Sequence, residues 1–201
     1  WYSAQSGQFS ATRVFGVYED LLGNEWILSD NGLGMLTAGQ TTPTSYFVDA
    51  AEREKKGGQA FYSCLEYDSE IYFGSDNGRV WCYQKENGQF QLQNLPASSR
   101  IVSINSVEGN ELIFTTAKDG FFSYQPKTKA IEHFPASRFP NASIHSVYVD
   151  KVSEVWFEQH IPGTVVHFNP RTRVLKREEV AVEPTATDRS RPAFHIHEDI
   201  N

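Results

Sequence analysis

Five residues carry groups that could hold a polar ligand without reacting with it: Tyr18, Arg79, Trp81, Arg100 and His145. An aromatic plate beside Arg or His donors grips a sugar ring through apolar stacking and directed hydrogen bonds. Arg79 and Trp81 stand where related stretches place Leu33, Met35, Phe121 and Ser123, so they break a pattern. Arg100 stands immediately before a strand, His145 lies early in one, and Tyr18 lies on another. Trp81 is also the right size to fill a gap between sheets.

Other chemistries find less support. His195 and His197 are two apart on a strand, share a face and could meet a metal, but no cysteine or third histidine is close in sequence. They are read as strand residues, and no metal and no cofactor are expected. Ser29-Asp30-Asn31-Gly32 and Ser75-Asp76-Asn77-Gly78 are rich in oxygen. A calcium loop needs ligands spread over about twelve residues ending in a bidentate Glu, and neither stretch has that spread. Asp30, Asp76 and Asp119 are therefore assigned to capping turns. The sequence has no G-x-S-x-G elbow, phosphate loop or dinucleotide loop, and no catalysis is expected of this region. Cys64 and Cys82 fall on two strands with a third between them, so free buried thiols are expected unless that order is wrong.

The elements that must position these groups are organised around Gly109–Thr128, GNELIFTTAKDGFFSYQPKT. Turn residues bracket two short runs rich in aromatic and β-branched residues, which is a hairpin signal. It recurs at Gly23–Ala38, Ser69–Tyr83 and Ser153–Phe168. Trp26, Tyr72, Ile113 and Trp156 take equivalent positions, and Gly32, Gly78, Gly120 and Gly163 keep the register of the following turn. A strand-only repeat of roughly forty residues is the signature of propeller blades. The four equivalent residues are accordingly assigned to the core between blades.

An alternating stretch precedes each hairpin, at 14–20, 61–66, 101–106 and 144–150, and is read as an innermost strand A. A short outer strand follows, clearest at Gln89–Gln93 and Ala130–Phe134. The expected fold is an all-β propeller of four-stranded antiparallel blades, part of a larger, seven-bladed ring. Repeats run over 13–57, 58–97, 98–138 and 139–180, with partial blades at 1–12 and 192–201. The run 50–58 is read as an exposed charged loop, 95–100 and 135–141 as links, and 178–192 as a longer polar one. Phe194–Asp199 resembles a strand A, whereas Trp1–Gly7 resembles the second strand of a blade. The termini could meet in a shared blade, be ends within a longer array, or flank residues missing near Gly7–Thr12. A longer array is favoured because nothing intrinsic ends the last repeat.

With 201 residues and 39% hydrophobic content the chain can build a sizeable core. A net charge of −7 argues against a nucleic-acid partner. No apolar run approaches the roughly eighteen residues that a membrane helix needs, so no membrane contact is expected of this region.

The stretch Glu19-Asp20-Leu21-Leu22-Gly23-Asn24-Glu25-Trp26-Ile27-Leu28-Ser29-Asp30-Asn31-Gly32-Leu33 resembles the two-component regulator propeller repeat. Three further copies resemble it: Glu111–Thr116 with Gly120, Tyr124, Pro126 and Phe134; Val155-Trp156-Phe157 with Phe168-Asn169-Pro170; and Tyr72–Gly78 with Tyr83. Departures are Ile113 in place of the aromatic, Glu158-Gln159 in place of Gly-Thr, and a turn altered at Ile161-Pro162-Gly163. The resemblance implies the periplasmic sensor region of a Bacteroides-type hybrid two-component system that senses glycan fragments. Such proteins commonly carry two seven-bladed propellers, an immunoglobulin-like domain, a membrane helix and a histidine kinase. The partners implied are an oligosaccharide and a second copy in a homodimer; the alternatives are a structural or protein-interaction propeller and, further off, a propeller lyase or hydrolase.

Overall fold

The computed structural model describes residues 9, 11–46, 60–140, 143–144, 146–159 and 164–179. His145, His160, Gly163, His195, His197, the run 50–58, the terminal partial blade 192–201, most of 1–12 and most of the link 178–192 lie outside the described residues.

Among the described residues, sixteen strands form four antiparallel sheets, each with its strands in sequence order. The first holds β1 (Val14–Glu19), β2 (Glu25–Ser29), β3 (Gly32–Leu36) and β4 (Thr44–Tyr46). The second holds β5 (Phe61–Tyr67), β6 (Glu70–Ser75), β7 (Val80–Gln84) and β8 (Gln89–Gln93). β9 (Ile101–Val107), β10 (Glu111–Thr116), β11 (Gly120–Gln125) and β12 (Ala130–Pro135) make the third. β13 (Ser146–Val149), β14 (Val155–Glu158), β15 (Thr164–Asn169) and β16 (Val174–Glu179) make the fourth. This is an all-β chain of repeated propeller-like sheets, and the strands agree with the four-strand reading of each repeat. β16 carries regular structure through Glu179, into the start of the segment read as a polar link.

The chain divides into two compact units, 1–104 and 105–201, with the division inside β9. In the first unit Trp26, Leu28 and Leu33 of one sheet pack with Phe61, Ile71, Phe73 and Trp81 of the next. Trp26 is fully buried, with the rings of Tyr83 and Phe73 at 4.8 and 5.0 Å. In the second unit Phe121 stacks on Phe134 at 4.5 Å and on Phe157 at 5.0 Å, and Ile113 lies in the same core. Tyr72 is fully buried, whereas Trp156 is half-buried and stacked on His167 at 4.5 Å.

Two local devices recur in the hairpins. In the first and fourth sheets an aspartate at the close of strand A accepts backbone N–H groups of the turn and the indole N–H of the following strand. Asp20 Oδ1 accepts from Leu22 at 3.0 Å and Asn24 at 2.9 Å, while Oδ2 accepts from Trp26 Nε1 at 3.0 Å. Asp150 repeats this with Val152, Glu154 and Trp156, the last at 2.8 Å. The next turn is closed by a hydroxyl at the end of the second strand: Ser29 donates to the Gly32 carbonyl, Ser75 to Arg79 and Thr116 to Gly120. Of the aspartates assigned to these turns, Asp30 reaches outside its own turn and Asp119 sits within the turn that Thr116 closes. Asp30 accepts from the backbone of Thr12 at 2.9 Å and Arg13 at 3.1 Å, fixing the chain's entry into β1. Asp119 donates its own N–H to Thr116 Oγ1 at 2.8 Å.

Cys64 on β5 and Cys82 on β7 are separated by β6 and are free thiols, as the strand order demands. Burial pushes the Cys64 thiol up to about 12, which leaves it protonated and unreactive near neutral pH.

Candidate functional site

β1 and β5 each depart from regular pairing near their start. The register of β1 against β2 shifts between Val14 and Gly16, and that of β5 against β6 shifts between Phe61 and Ser63. The extra residues are Phe15 and Tyr62. A bulge leaves one residue outside the ladder and re-aims its side chain, so two neighbouring strands turn an aromatic ring out at equivalent positions.

Those rings meet. Phe15 and Tyr62 stack with centroids 4.3 Å apart and planes inclined at 28°. The guanidinium carbon of Arg100 lies 4.8 Å from the Tyr62 ring centroid on the approach to β9. Phe15 is 37% exposed, Tyr62 is half-buried and Arg100 is exposed. A row of ring, ring and cation therefore opens to solvent across the starts of successive strands, all within the first unit. Beneath it Ser63 Oγ donates to the Ile101 carbonyl at 3.3 Å. A Cβ on Gly74 would lie 2.4 Å from that hydroxyl oxygen and 2.6 Å from Ile101 Cβ, so close approach of backbone to side chain supports the row from below.

Of the residues singled out in the sequence, Arg100 belongs to this row. Tyr18 is three residues beyond Phe15 on β1, about 10 Å along the strand. Its hydroxyl donates to Glu66 Oε2 at 3.1 Å, and the same carboxylate accepts from Leu21 N–H at 2.9 Å and pairs with Lys85. Burial, reinforced by the Glu66 hydrogen bond and charge, pushes the Tyr18 phenol up to about 12. Trp81 packs in the core between the first two sheets at 9% exposure. Arg79 is half-buried in the turn before β7, where its carbonyl accepts from Ser75 N–H at 3.0 Å.

Sequence reasoning missed Phe15 and Tyr62. The available signal was the repeat register: Phe15, Tyr62, Val102 and His145 hold the second position of the four strands A, and the first two are large rings where Val102 is aliphatic. Among the described histidines, His133 stacks on Phe122 at 4.3 Å. His167 stacks on Trp156, with Nδ1 2.9 Å from Glu154 and Nε2 3.3 Å from Glu178. The described residues hold no group of three or more His, Cys, Asp or Glu placed to bind a metal ion.

No family model and no curated protein matches this sequence. Solved structures do. The extracellular domain of BT4673 from B. thetaiotaomicron, described as a hybrid two component system, superposes with a TM-score of 0.69 at 18% identity, over 89% of this chain and 23% of that one. The extracellular domain of BT3049 from the same organism, described likewise, gives 0.68 at 15% identity over 84% and 25%. Virginiamycin B lyase from Staphylococcus aureus gives 0.67 at 16% identity over 87% and 59%. What is shared is the fold. This chain spans about a quarter of the sensor domains and about three-fifths of the lyase, and the same architecture serves both, so function has to be argued from the site.

Proposed function

We propose that this chain is a non-catalytic, extracytoplasmic ligand-sensing part of a propeller in a two-component signalling protein, and that its ligand is a glycan fragment. The observation that carries the reading is the exposed Phe15–Tyr62 stack capped by Arg100. Sugar rings present C–H faces that pack on aromatic plates, and their hydroxyls take directed donors such as a guanidinium. The fold likeness to the two extracellular sensor domains favours a sensor and an extracytoplasmic setting. The ring and carboxylate contacts of His133 and His167 favour structural roles for those side chains over acid–base work.

Isothermal titration calorimetry of the chain against neutral and acidic soluble oligosaccharides tests this reading. Binding by at least one sugar is expected, weakened roughly tenfold by Tyr62→Ala, in line with the worth of one aromatic contact. Silence across the whole panel would contradict it.

A second reading, a protein-interaction propeller, is favoured by one feature. β1 is the edge strand of its sheet and exposes Val17 at 61%, followed by Leu21 at 86% and Leu22 at 66%. Concentration-dependent dimerisation in sedimentation runs, abolished by Leu21→Glu with Leu22→Glu, would support it.

A further inference from the structure

We infer that the ligand of the Phe15–Tyr62 row carries a carboxylate, as a uronic-acid oligosaccharide does, and that Arg100 reads that group. The inference rests on the glycan reading of the row and adds its charge class.

The argument starts from how cations are used elsewhere in the chain. Arg173 is saturated: Nη1 donates to Glu111 at 2.6 Å, Nε donates to Glu132 at 3.1 Å, and its guanidinium lies over Phe134 and Phe168. Arg171 pairs with Glu108, and Lys85 with Glu66. Arg100 differs from these: among the described residues it pairs with no carboxylate and donates to no acceptor, and its guanidinium lies over the Tyr62 ring. A ring is not a conventional hydrogen-bond acceptor, so the contact with Tyr62 satisfies none of the five N–H donors with a lone pair. Arg138 is exposed and lies over the Phe134 ring in the same way, but that ring is buried in a core and offers no open plate beside the cation.

A cation fixed over a ring, with its donors unspent and an apolar plate adjoining, matches a planar anion joined to a sugar. The guanidinium forks onto the carboxylate while the sugar's apolar face packs on Phe15, because Tyr62 already carries Phe15 and Arg100 against its ring and serves as the platform between them. Long-range attraction does not supply this preference, because a chain of net charge −7 repels an acidic sugar at a distance. Selectivity for an acid therefore has to come from a local donor, and Arg100 is placed to be one. Because Arg100 is exposed and outside the cores, replacing it leaves the fold intact.

The test compares matched ligands by calorimetry on the full chain: trimers of galacturonate, glucuronate and mannuronate, each beside its methyl ester, with a neutral and a sulfated trisaccharide. At least one acid trimer is expected to bind roughly tenfold to a hundredfold more tightly than its own ester, as a charged hydrogen-bonded contact implies. Arg100→Gln should erase that difference, the acid losing far more affinity than the ester, and Arg100→Lys should restore part of it. Tyr62→Ala should weaken acid and ester alike. Equal binding of acid and ester, or binding confined to the neutral or sulfated sugar, overturns the inference and leaves the glycan reading standing. A preference for acid that survives Arg100→Gln overturns the role of Arg100. Absence of binding by every sugar overturns both.

Discussion

Asp20 shows how much one side chain has to do in the first repeat, a part that Asp150 takes in the fourth. Burial pushes its carboxyl up, but hydrogen bonds from Trp26, Asn24 and Leu22 outweigh that and hold it below its ordinary 3.8. A carboxyl depressed in the folded state adds stability that is complete above its unfolded value and drains away as pH falls through the folded one. Asp20→Ala also strands the buried indole N–H of Trp26, a loss of about 1–3 kcal/mol. Denaturant unfolding near pH 7 should show that loss, and the gap between wild type and variant should shrink below about pH 4; a gap independent of pH would contradict the assignment. Tyr18→Phe removes one hydrogen bond to Glu66 and should cost about 1 kcal/mol by the same measurement. Sugar binding should be untouched, because Tyr18 lies away from the Phe15–Tyr62 row. At this scale the sequence was partly legible. Arg100 was recognisable as a donor beside a strand, whereas nothing local in the sequence marks Tyr62 as its platform, since their meeting depends on how neighbouring strands are set.

The hairpins were the most legible elements, because alternation and turn chemistry are local properties. Gln89–Gln93 is a strand over the span read from sequence, and the first three strands A begin at the residues expected. The turn glycines show why their register is kept. Gly120 has φ +87°, and a Cβ there would lie 2.1 Å from the Phe134 carbonyl oxygen. Gly120→Ala should therefore destabilise by roughly 2 kcal/mol or more. Gly16→Ala, with no atom within 4 Å of the added Cβ, should unfold close to wild type. Equal midpoints for the two variants in urea would refute the steric account. The bulges in β1 and β5 were not legible. Val14-Phe15-Gly16 and Phe61-Tyr62-Ser63 read as ordinary strand, and the extra residue appears only once the partner strand fixes the register.

For the molecule as a whole, repetition carried the architecture further than it carried function. Four copies in register predict four four-stranded sheets, and the sheets are there. The aromatic positions that recur proved uninformative about ligands because most of them are spent on packing: Trp26 and Ile113 fill inter-sheet cores, and Tyr72 is fully buried. The candidate site lies where the repeat diverges, at the start of strands whose interiors are conventional. The central claim is thus one of place, that a sugar is held across the starts of β1, β5 and β9 in the first unit. Backbone amide chemical-shift mapping during titration with a binding oligosaccharide tests it most directly. Shifts concentrated at residues 14–16, 61–63 and 100–102, and lost in Tyr62→Ala, are the predicted result; shifts centred elsewhere with those amides unmoved would contradict it.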